Sequence, residues 1–514
     1  MFGKVFSIGL KGLETYKIEI EADIQGGLPR FDIVGLPDTA VRESGNRVRA
    51  ALKNCGFTFP PSAITVNLAP AGTPKEGALY DLPILLALLQ ASNQLDVNLS
   101  NSVFAGELSL SGDIRPVKGA LPLVIEARRM GFENVFIPAE NVKEATVVEG
   151  IHIFGLNHLK ELSDHLIGPV PLSPAPFVPF EQQVLREYPL DMCEIAGQSF
   201  AKRAVEVAAA GGHNIILVGP PGTGKSMIAK RLPGILPQMT MEESIETSKI
   251  HSVAGLLREE KHGLLTQRPI RSPHHSASSA GLAGGGRIPE PGEISLAHNG
   301  ILFLDELPEF ARSVLETLRQ PIEDNCITIS RVSGKYTYPA SIMLVASMNP
   351  CPCGYAGYPD PASNRKCTCS PQMITNYLAR VSGPLLDRID LHIEMGPITY
   401  SDLSEQHHEE KSSEIYKRVN AARQLQQERY KGRAFSCNAK IDSRGMKEFC
   451  AVSPEAGELL KVAFERMGLS ARAYDKILKV SRTIADLDSA PLIEAQHVSE
   501  ALQYRNLDRA FRRG

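Results

Sequence analysis

Polar and apolar residues alternate one for one from Thr15 to Ala22, the period of a strand with one buried face. The spacing then changes. Val41, Val48 and Leu52 recur at helical intervals, with Arg42, Arg47, Arg49 and Lys53 between them, which predicts a helix from Val41 to Cys55. Ile64–Leu68 predicts another strand and Leu82–Leu89 a strongly apolar helix. Leu121–Met130 predicts a helix stopped at Gly131, with the strand Asn134–Ile137 after it. Strands and helices in this irregular order predict an α+β domain over residues 1–165. Pro169, Pro171, Pro174, Pro176 and Pro179 then disfavour helix and predict an extended linker over 166–190.

From residue 191 onward the alternation gives way to short apolar runs: Asn214–Val218, Ile301–Leu304 and Ile342–Ser347. Such runs predict buried parallel strands; the helical segment Ala201–Ala210 precedes the first, and Met227–Leu232 and Pro308–Arg319 lie between them. The fold class is therefore α/β for a core over 191–398. Cys326–Ser330 and Tyr336–Tyr338 flank Ser333-Gly334 and predict a β-hairpin with Arg331 and Lys335 near its tip. Residues 399–514 are polar and helical: Ser412–Tyr430 is one long helix. Ser470 caps another, with Ala473, Ile477, Val480, Ile484 and Leu487 on one face.

Composition adds bounds. A chain of 514 residues has room for three domains of about 150 residues each. A net charge of −3 argues against a wholesale basic surface for nucleic acid, while leaving room for a local basic element inside a ring. No run reaches the ~18 apolar residues of a membrane helix, and the start, Met1–Val5, predicts no secretory signal. Nine cysteines, an odd number, predict reduced thiols in the cytoplasm.

The first buried strand runs into Gly219-Pro220-Pro221-Gly222-Thr223-Gly224-Lys225-Ser226, and a helix leaves it. This is G-x-x-x-x-G-K-[ST] in a strand–loop–helix context. The glycines let successive N–H groups curl inward on phosphate oxygens, and the dipole of the following helix favours the same anion. The pattern predicts an ATP site, with Lys225 on the β- and γ-phosphates and Ser226 on Mg²⁺. Asp305 and Glu306 end the second strand, at the sheet edge where ligands bind in open α/β sheets. Asp305 is expected to hold Mg²⁺ through water, and Glu306 to polarise the attacking water. Asn349, after the third strand, is expected to orient that water or read the γ-phosphate. Arg388, in Leu386-Asp387-Arg388-Ile389-Asp390, is the candidate arginine finger, or else an Arg–Asp surface pair.

Cys351, Cys353, Cys367 and Cys369 lie between Asn349 and Arg388. Four thiolates on a glycine- and proline-rich loop can close a tetrahedral Zn²⁺ site; free thiols and a redox switch are the alternatives. Ser252–Gly300 holds an insertion with Arg271-Ser272-Pro273-His274-His275 and the glycine run Gly281–Arg287. Its adjacent histidines are metal ligands or, more simply, loop polar groups. The hairpin charges Arg331 and Lys335 are DNA contacts or ordinary solvated residues.

Residues 1–165 resemble the proteolytic domain of Lon-type proteases and the matching domain of the RadA recombination ATPase. The likeness is carried by Gly106–Gly112, Pro116–Gly119, Ala127–Arg129 and Ile137–Asn141. It implies the α+β fold of ribosomal S5 domain 2. In Lon the nucleophilic serine follows K-[DE]-G-P; here Lys75-Glu76-Gly77-Ala78 is followed by Leu79. Lon's catalytic lysine follows P-[IV]-G-G-[LV]; here Pro116–Ala120 is followed by Leu121. Leucine has neither nucleophile nor proton to give, so no peptidase activity is expected.

The phosphate loop, Ser272–Ser276, Leu304–Leu307, Asn349–Gly354, Leu386–Asp390 and Ser470–Tyr474 together resemble the magnesium-chelatase-like AAA+ ATPases of the ComM/YifB family. The segment Ile195-Ala196-Gly197-Gln198 is similar to the adenine-side segment of AAA+ proteins. The resemblance implies an AAA+ core with an α-helical lid and Arg472 as a nucleotide-contacting sensor-2 arginine. It further implies a homo-hexameric motor on branched or single-stranded DNA, a branch-migration helicase of natural transformation or recombination. Arg331 and Lys335 would then face a central pore. The alternatives are a metal-chelatase motor subunit and a nucleotide-gated regulator of a protein partner.

Overall fold

The computed structural model describes residues 1–183, 188–257, 263–286, 289–331, 334–358, 366–398 and 409–505. The hairpin residue Ser333, and Arg287 at the end of the glycine run, lie outside these. Contacts divide the chain into two compact units. The first joins Met1–Val184 with Met241–Thr266 and Ser330–Tyr338; the second joins Leu185–Thr240, Gln267–Ile329 and Pro339–Gly514. Among the described residues no helix is long and apolar enough to cross a membrane.

The first unit is built on a seven-stranded mixed sheet. Its strands are β1 (Phe2–Lys11), β2 (Glu14–Gln25), β3 (Arg30–Val34), β4 (Ala63–Ala69), β5 (Ser102–Phe104), β8 (Asn134–Pro138) and β9 (His152–Leu156), in the order β3-β4-β2-β1-β5-β8-β9. A short pair, β6 (Glu107–Leu108) and β7 (Ile114–Arg115), stands apart. Alternation in β2 puts Ile18, Ile20 and Ala22 at 0% exposure, as the pattern predicts. The expected helices form as Thr39–Asn54, Asp81–Ala91 and Ala120–Arg129. Asp38 caps the first through Oδ1, which accepts from Val41 N at 2.8 Å. Leu121 is fully buried and Leu79 half-buried, so aliphatic side chains stand at both dyad positions. The proline-rich stretch 170–179 carries neither helix nor strand, a helical turn Phe180–Gln183 follows it, and it is tied down: Ala175 N donates to Ile153 O (2.7 Å) and Val178 N to Thr146 O (3.0 Å).

Two segments from the ATPase half of the sequence fold into this unit. One is the helix Met241–Ala254. Its Ser252 accepts from Gly119 N at the carbonyl (2.9 Å) and from Leu121 N at Oγ (3.3 Å). The Ser252 hydroxyl donates to Glu144, whose other oxygen accepts from Asn141 Nδ2 at 2.6 Å. The other segment is the outer part of the hairpin.

The second unit carries a five-stranded parallel sheet in the order β11-β14-β17-β10-β18. These strands are β10 (Ile215–Val218), β11 (Ile270–Arg271), β14 (Ile301–Leu304), β17 (Met343–Met348) and β18 (Leu391–Glu394). A short pair, β12 (Gly284–Gly285) with β13 (Glu290–Pro291), and the hairpin β15 (Cys326–Arg331) with β16 (Gly334–Pro339) complete the strands among the described residues. The predicted helix Pro308–Arg319 does not form as one piece. A 3₁₀ turn (Leu307–Glu309) is followed by extended Phe310 and Ala311, then short helices Arg312–Glu316 and Arg319–Asp324. Phe310 is 3% exposed, and the extended backbone is what lets it enter the core. The helices Ser412–Arg429, Pro454–Met467, Ala471–Leu487 and Ala495–Gln503 share one hydrophobic core with the sheet. Arg423 and Gln426 cap the helix Ser199–Gly211 by donating to the carbonyls of Ala209 and Ala210, each at 3.1 Å.

Candidate nucleotide site

Strand register assembles the site. Val218 lies opposite Met348, and Leu304 opposite Ala346. The residues that leave these strands, Gly219, Asp305 and Asn349, therefore emerge side by side at the carboxyl edge of the sheet. The loop between β10 and the helix Lys225–Arg231 turns through Gly222 and Gly224, whose φ angles of +83° and +88° suit glycine. Ile195 flanks the loop: a Cβ on Gly224 would sit 3.9 Å from its Cγ2.

Lys225 is 8% exposed. Its ammonium donates to the carbonyls of Gly219 (2.7 Å) and Pro220 (2.8 Å) and to Oδ1 of Asn349 (3.2 Å). Burial pushes its pKa down to about 8, against the pull of Asp305 and Glu306. Ser226 Oγ donates to Asp305 Oδ2 at 2.8 Å, so the two expected Mg²⁺ ligands are in contact. The residues fit the ion: a hydroxyl and a carboxylate, both hard oxygens, at one spot beside a phosphate loop.

Two further neighbours join the site: Ser347, which went unread in the sequence, and His275, which was read there only as a metal ligand or a loop polar group. Ser347, the penultimate residue of β17, donates its hydroxyl to Asp305 Oδ1 and accepts from Glu306 N at 3.3 Å. A polar residue inside an otherwise apolar strand was the available signal. His275 places Nδ1 4.0 Å from Glu306 Oε2. It is held by His274, with ring centroids 4.0 Å apart, and by the edge of Phe310. Glu306 itself has φ +53°, a left-handed conformation that turns the chain at the strand end and leaves its carboxylate largely in solvent.

The cysteine loop lies against the phosphate loop. A Cβ on Gly354 would come within 2.6 Å of Pro221 Cδ, so only glycine permits this approach. Sγ of Cys351 is 3.3 Å from that of Cys353 and 3.8 Å from that of Cys367, and Cys353 to Cys367 is 3.6 Å. With Cys369, all four lie within 4.8 Å of one another. Sulfurs about 2.3 Å from a tetrahedral metal are about 3.8 Å apart, so the donor set fits Zn²⁺. None of the cysteines forms a disulfide. Burial raises the Cys353 pKa, but the N–H groups of Tyr355 and Thr368 outweigh it and draw the thiol down. The adjacent histidines lie with Glu306, not with this cluster.

Arg388 and Arg472 do not join the phosphate loop of their own chain. Leu391 pairs with Ile215, the first residue of β10, and Asp390 N donates to Asn214 O at 2.9 Å. Arg388 therefore sits at the amino edge of the sheet, with the length of β10, about 13 Å at 3.3 Å per residue, between it and Gly219. There Arg388 Nη2 pairs with Glu323 Oε1 at 2.6 Å, and Arg472 Nη2 approaches the same oxygen at 3.8 Å. Both arginines line a charged cleft of about 430 Å³ with Lys440, Lys476 and Lys479. Arg331 and Lys335 are exposed and belong to the first unit.

Comparison with known proteins gives the chain its family. The family described as magnesium chelatase, subunit ChlI, matches residues 191–403. Its companions match 20–141 (subunit ChlI of Mg-chelatase) and 409–505 (subunit ChlI C-terminal). The chain is 44% identical to the YifB protein of Salmonella typhimurium over 503 residues, 97% of this chain and 96% of that one. It is also 44% identical to the competence protein ComM of Haemophilus influenzae over 515 residues, 99% and 98% of the two chains. A mitochondrial Lon protease homolog of Caenorhabditis briggsae is 31% identical over 113 residues, 21% of this chain and 12% of that one. Members of the magnesium-chelatase family are AAA+ ATPases, and this chain, with a Lon-like front and a full-length match to YifB and ComM, belongs to that family.

Proposed function

We propose that this chain works in the cytoplasm as a ring of six identical subunits that uses ATP to remodel branched or single-stranded DNA without sequence specificity. The activity proposed is that of a branch-migration helicase serving transformation or recombination. The observation that carries the reading is the separation of the arginines from the phosphate loop. Lys225, Ser226, Asp305, Glu306 and Asn349 follow strands at one sheet edge, and Arg388 with Arg472 lies at the other. An arginine on that edge can serve only a neighbour's nucleotide, which supports a closed ring with a site at each subunit boundary. Likeness to a competence protein supports DNA as the substrate.

In this reading the loop N–H groups and Lys225 bind the phosphates, and Ser226 and Asp305 hold Mg²⁺. Glu306 polarises water, Asn349 orients it, and Arg388 and Arg472 approach from the next subunit. Mg²⁺, when bound, neutralises charge on the β- and γ-phosphates. Cys351, Cys353, Cys367 and Cys369 would hold a structural Zn²⁺. The test is the rate of ATP hydrolysis with single-stranded, duplex and four-way-junction DNA, together with junction unwinding. Stimulation by junction DNA is expected. A second reading, a chelatase motor subunit, draws on the description of the matching family. Stimulation by a porphyrin-binding partner and not by DNA would favour it, and a response to neither would favour a nucleotide-gated regulator of a protein partner.

A further inference from the structure

We propose that the first unit is a nucleic-acid-binding platform in which Lys11 contacts phosphate beside Arg331 and Lys335. The inference rests on the DNA reading above and extends it to a unit whose Lon-like dyad positions hold leucines. The outer part of the hairpin, Ser330–Tyr338, folds with Met1–Val184. Tyr336 and Tyr338, 5% and 0% exposed, anchor it. They lie on the turn between β1 and β2: a Cβ on Gly12 would sit 3.3 Å from Tyr336 Cδ1 and 3.5 Å from Tyr338 Oη. Lys11 Nζ stands 6.0 Å from the centre of the Tyr336 ring. It would be 3.5 Å from a Cβ on Gly334, which places the ammonium at the hairpin tip, next to Lys335 in sequence.

The charges at this tip are unbalanced. Lys4, on β1 with Lys11, and Lys17, on β2, pair with Glu19 at 2.5 and 3.1 Å. Among the described residues, Lys11, Arg331 and Lys335 form no ion pair, and Arg331 reaches only the carbonyl of Ser330, at 3.4 Å. Glu14, exposed, stands opposite Lys11 in the β1–β2 register but forms no ion pair with it among the described residues, and three cations against one carboxylate suit a polyanion. The two tyrosines are buried as anchors, so they offer no open face for base stacking. Arg331 and Lys335 are exposed with half-buried Lys11 beside them, and cations of this kind read the sugar–phosphate backbone rather than the bases. The ligand class is therefore nucleic acid bound through phosphate, with affinity that falls as salt rises.

The experiment uses the full-length protein with a non-hydrolysable ATP analogue and a fluorescent four-way junction, read by anisotropy across a salt series. Lys11→Glu is expected to weaken binding about tenfold or more and to reduce the slope of log K against log salt by about 0.9 per lost contact. Lys11→Arg should bind as wild type does. Lys461→Glu, at an exposed lysine of the second unit, should change neither quantity. Thermal melting checks that each variant is folded, and Lys11→Gln replaces Lys11→Glu if the latter is not. Wild-type affinity and slope in Lys11→Glu, with binding lost in Arg331→Ala/Lys335→Ala, overturns the platform and leaves the DNA reading standing. A wild-type protein that binds no DNA of any form removes both.

Discussion

The ammonium of Lys225 lies 3.2 Å from Oδ1 of Asn349, so the phosphate loop is tied to the end of the adjacent strand by the residue meant for the phosphates. Burial has brought that ammonium down to about 8, which puts its titration within reach of experiment. The sign follows from the charge that phosphate requires. Below pH 8 the lysine is protonated and binds; above it the free protein must first take up a proton. Dissociation constants for a fluorescent ATP analogue are expected to rise about tenfold from pH 7 to pH 9. Lys225→Arg, charged throughout, should flatten the profile. A flat profile in the wild type would show that Lys225 does not titrate there.

Ser347 gives Asp305 a second hydroxyl partner in addition to Ser226, so the carboxylate is held from two sides. Outer partners of this kind fix a ligand's orientation, and losing one typically costs about 10–100-fold in metal affinity. Ser347→Ala should therefore shift the Mg²⁺ dependence of hydrolysis to higher concentration by about that factor, while excess Mg²⁺ restores the rate. Glu306→Gln should behave differently. It keeps ATP binding and loses turnover by about a hundredfold or more, since a positioned base contributes that much. Turnover near wild type in Glu306→Gln would remove Glu306 from the chemistry.

The assembly of the candidate nucleotide site was legible because its parts are runs of adjacent residues: a loop after β10, a carboxylate pair after β14, an amide after β17. Each run carries its own strand, and parallel register does the rest. The helix Met241–Ala254 shows where the reading stops. Its buried positions include Ser244, Thr247, Ser248, His251 and Ser252, which are polar, so no apolar stripe announces the face that docks. Ser252 is bound by Gly119 and Leu121, far away in sequence. The hairpin was predicted, but its tyrosine anchor on Gly12 is a tertiary fact with no local signal. Arg472 was expected, by resemblance, to be a lid arginine, and only the packing of its helix reveals that it keeps company with Arg388 and Glu323.

The cysteine loop makes a metal prediction with a structural consequence. Cys351 is two residues beyond Asn349, and Gly354 packs on Pro221. A metal that fixes the four sulfurs would also fix the phosphate loop from outside. Purified protein should carry about one Zn²⁺ per chain, and Co²⁺ put in its place should show the thiolate charge-transfer bands of a tetrahedral site. Cys351→Ser/Cys367→Ser should lose the metal, whereas Cys437→Ser, at a buried cysteine outside the cluster, should keep it. Protein that contains no metal despite never meeting a chelator would leave four free thiols.

Arg388 tests the ring itself. Its guanidinium is bound to Glu323 and to the carbonyl of Pro384, both at 2.6 Å, on the sheet edge away from Gly219. No side-chain rotation carries it across the length of β10, so a role in hydrolysis requires a second chain. Arg388→Ala should retain ATP binding and lose hydrolysis by about a thousandfold or more, the usual worth of an arginine finger. Lys225→Ala should lose both. Neither variant alone is active, but an equal mixture contains boundaries where an intact phosphate loop from one parent faces an intact arginine from the other. Random assembly makes such boundaries about a quarter of the total in a ring with one site per interface, and the mixture should recover up to that share of the wild-type rate. The same assay run across protein concentration should show specific activity rising as rings assemble. Activity that is independent of concentration, with a single-chain mass by light scattering in the presence of ATP, would mean that hydrolysis needs no neighbour. The mixture would then stay as inactive as its parents.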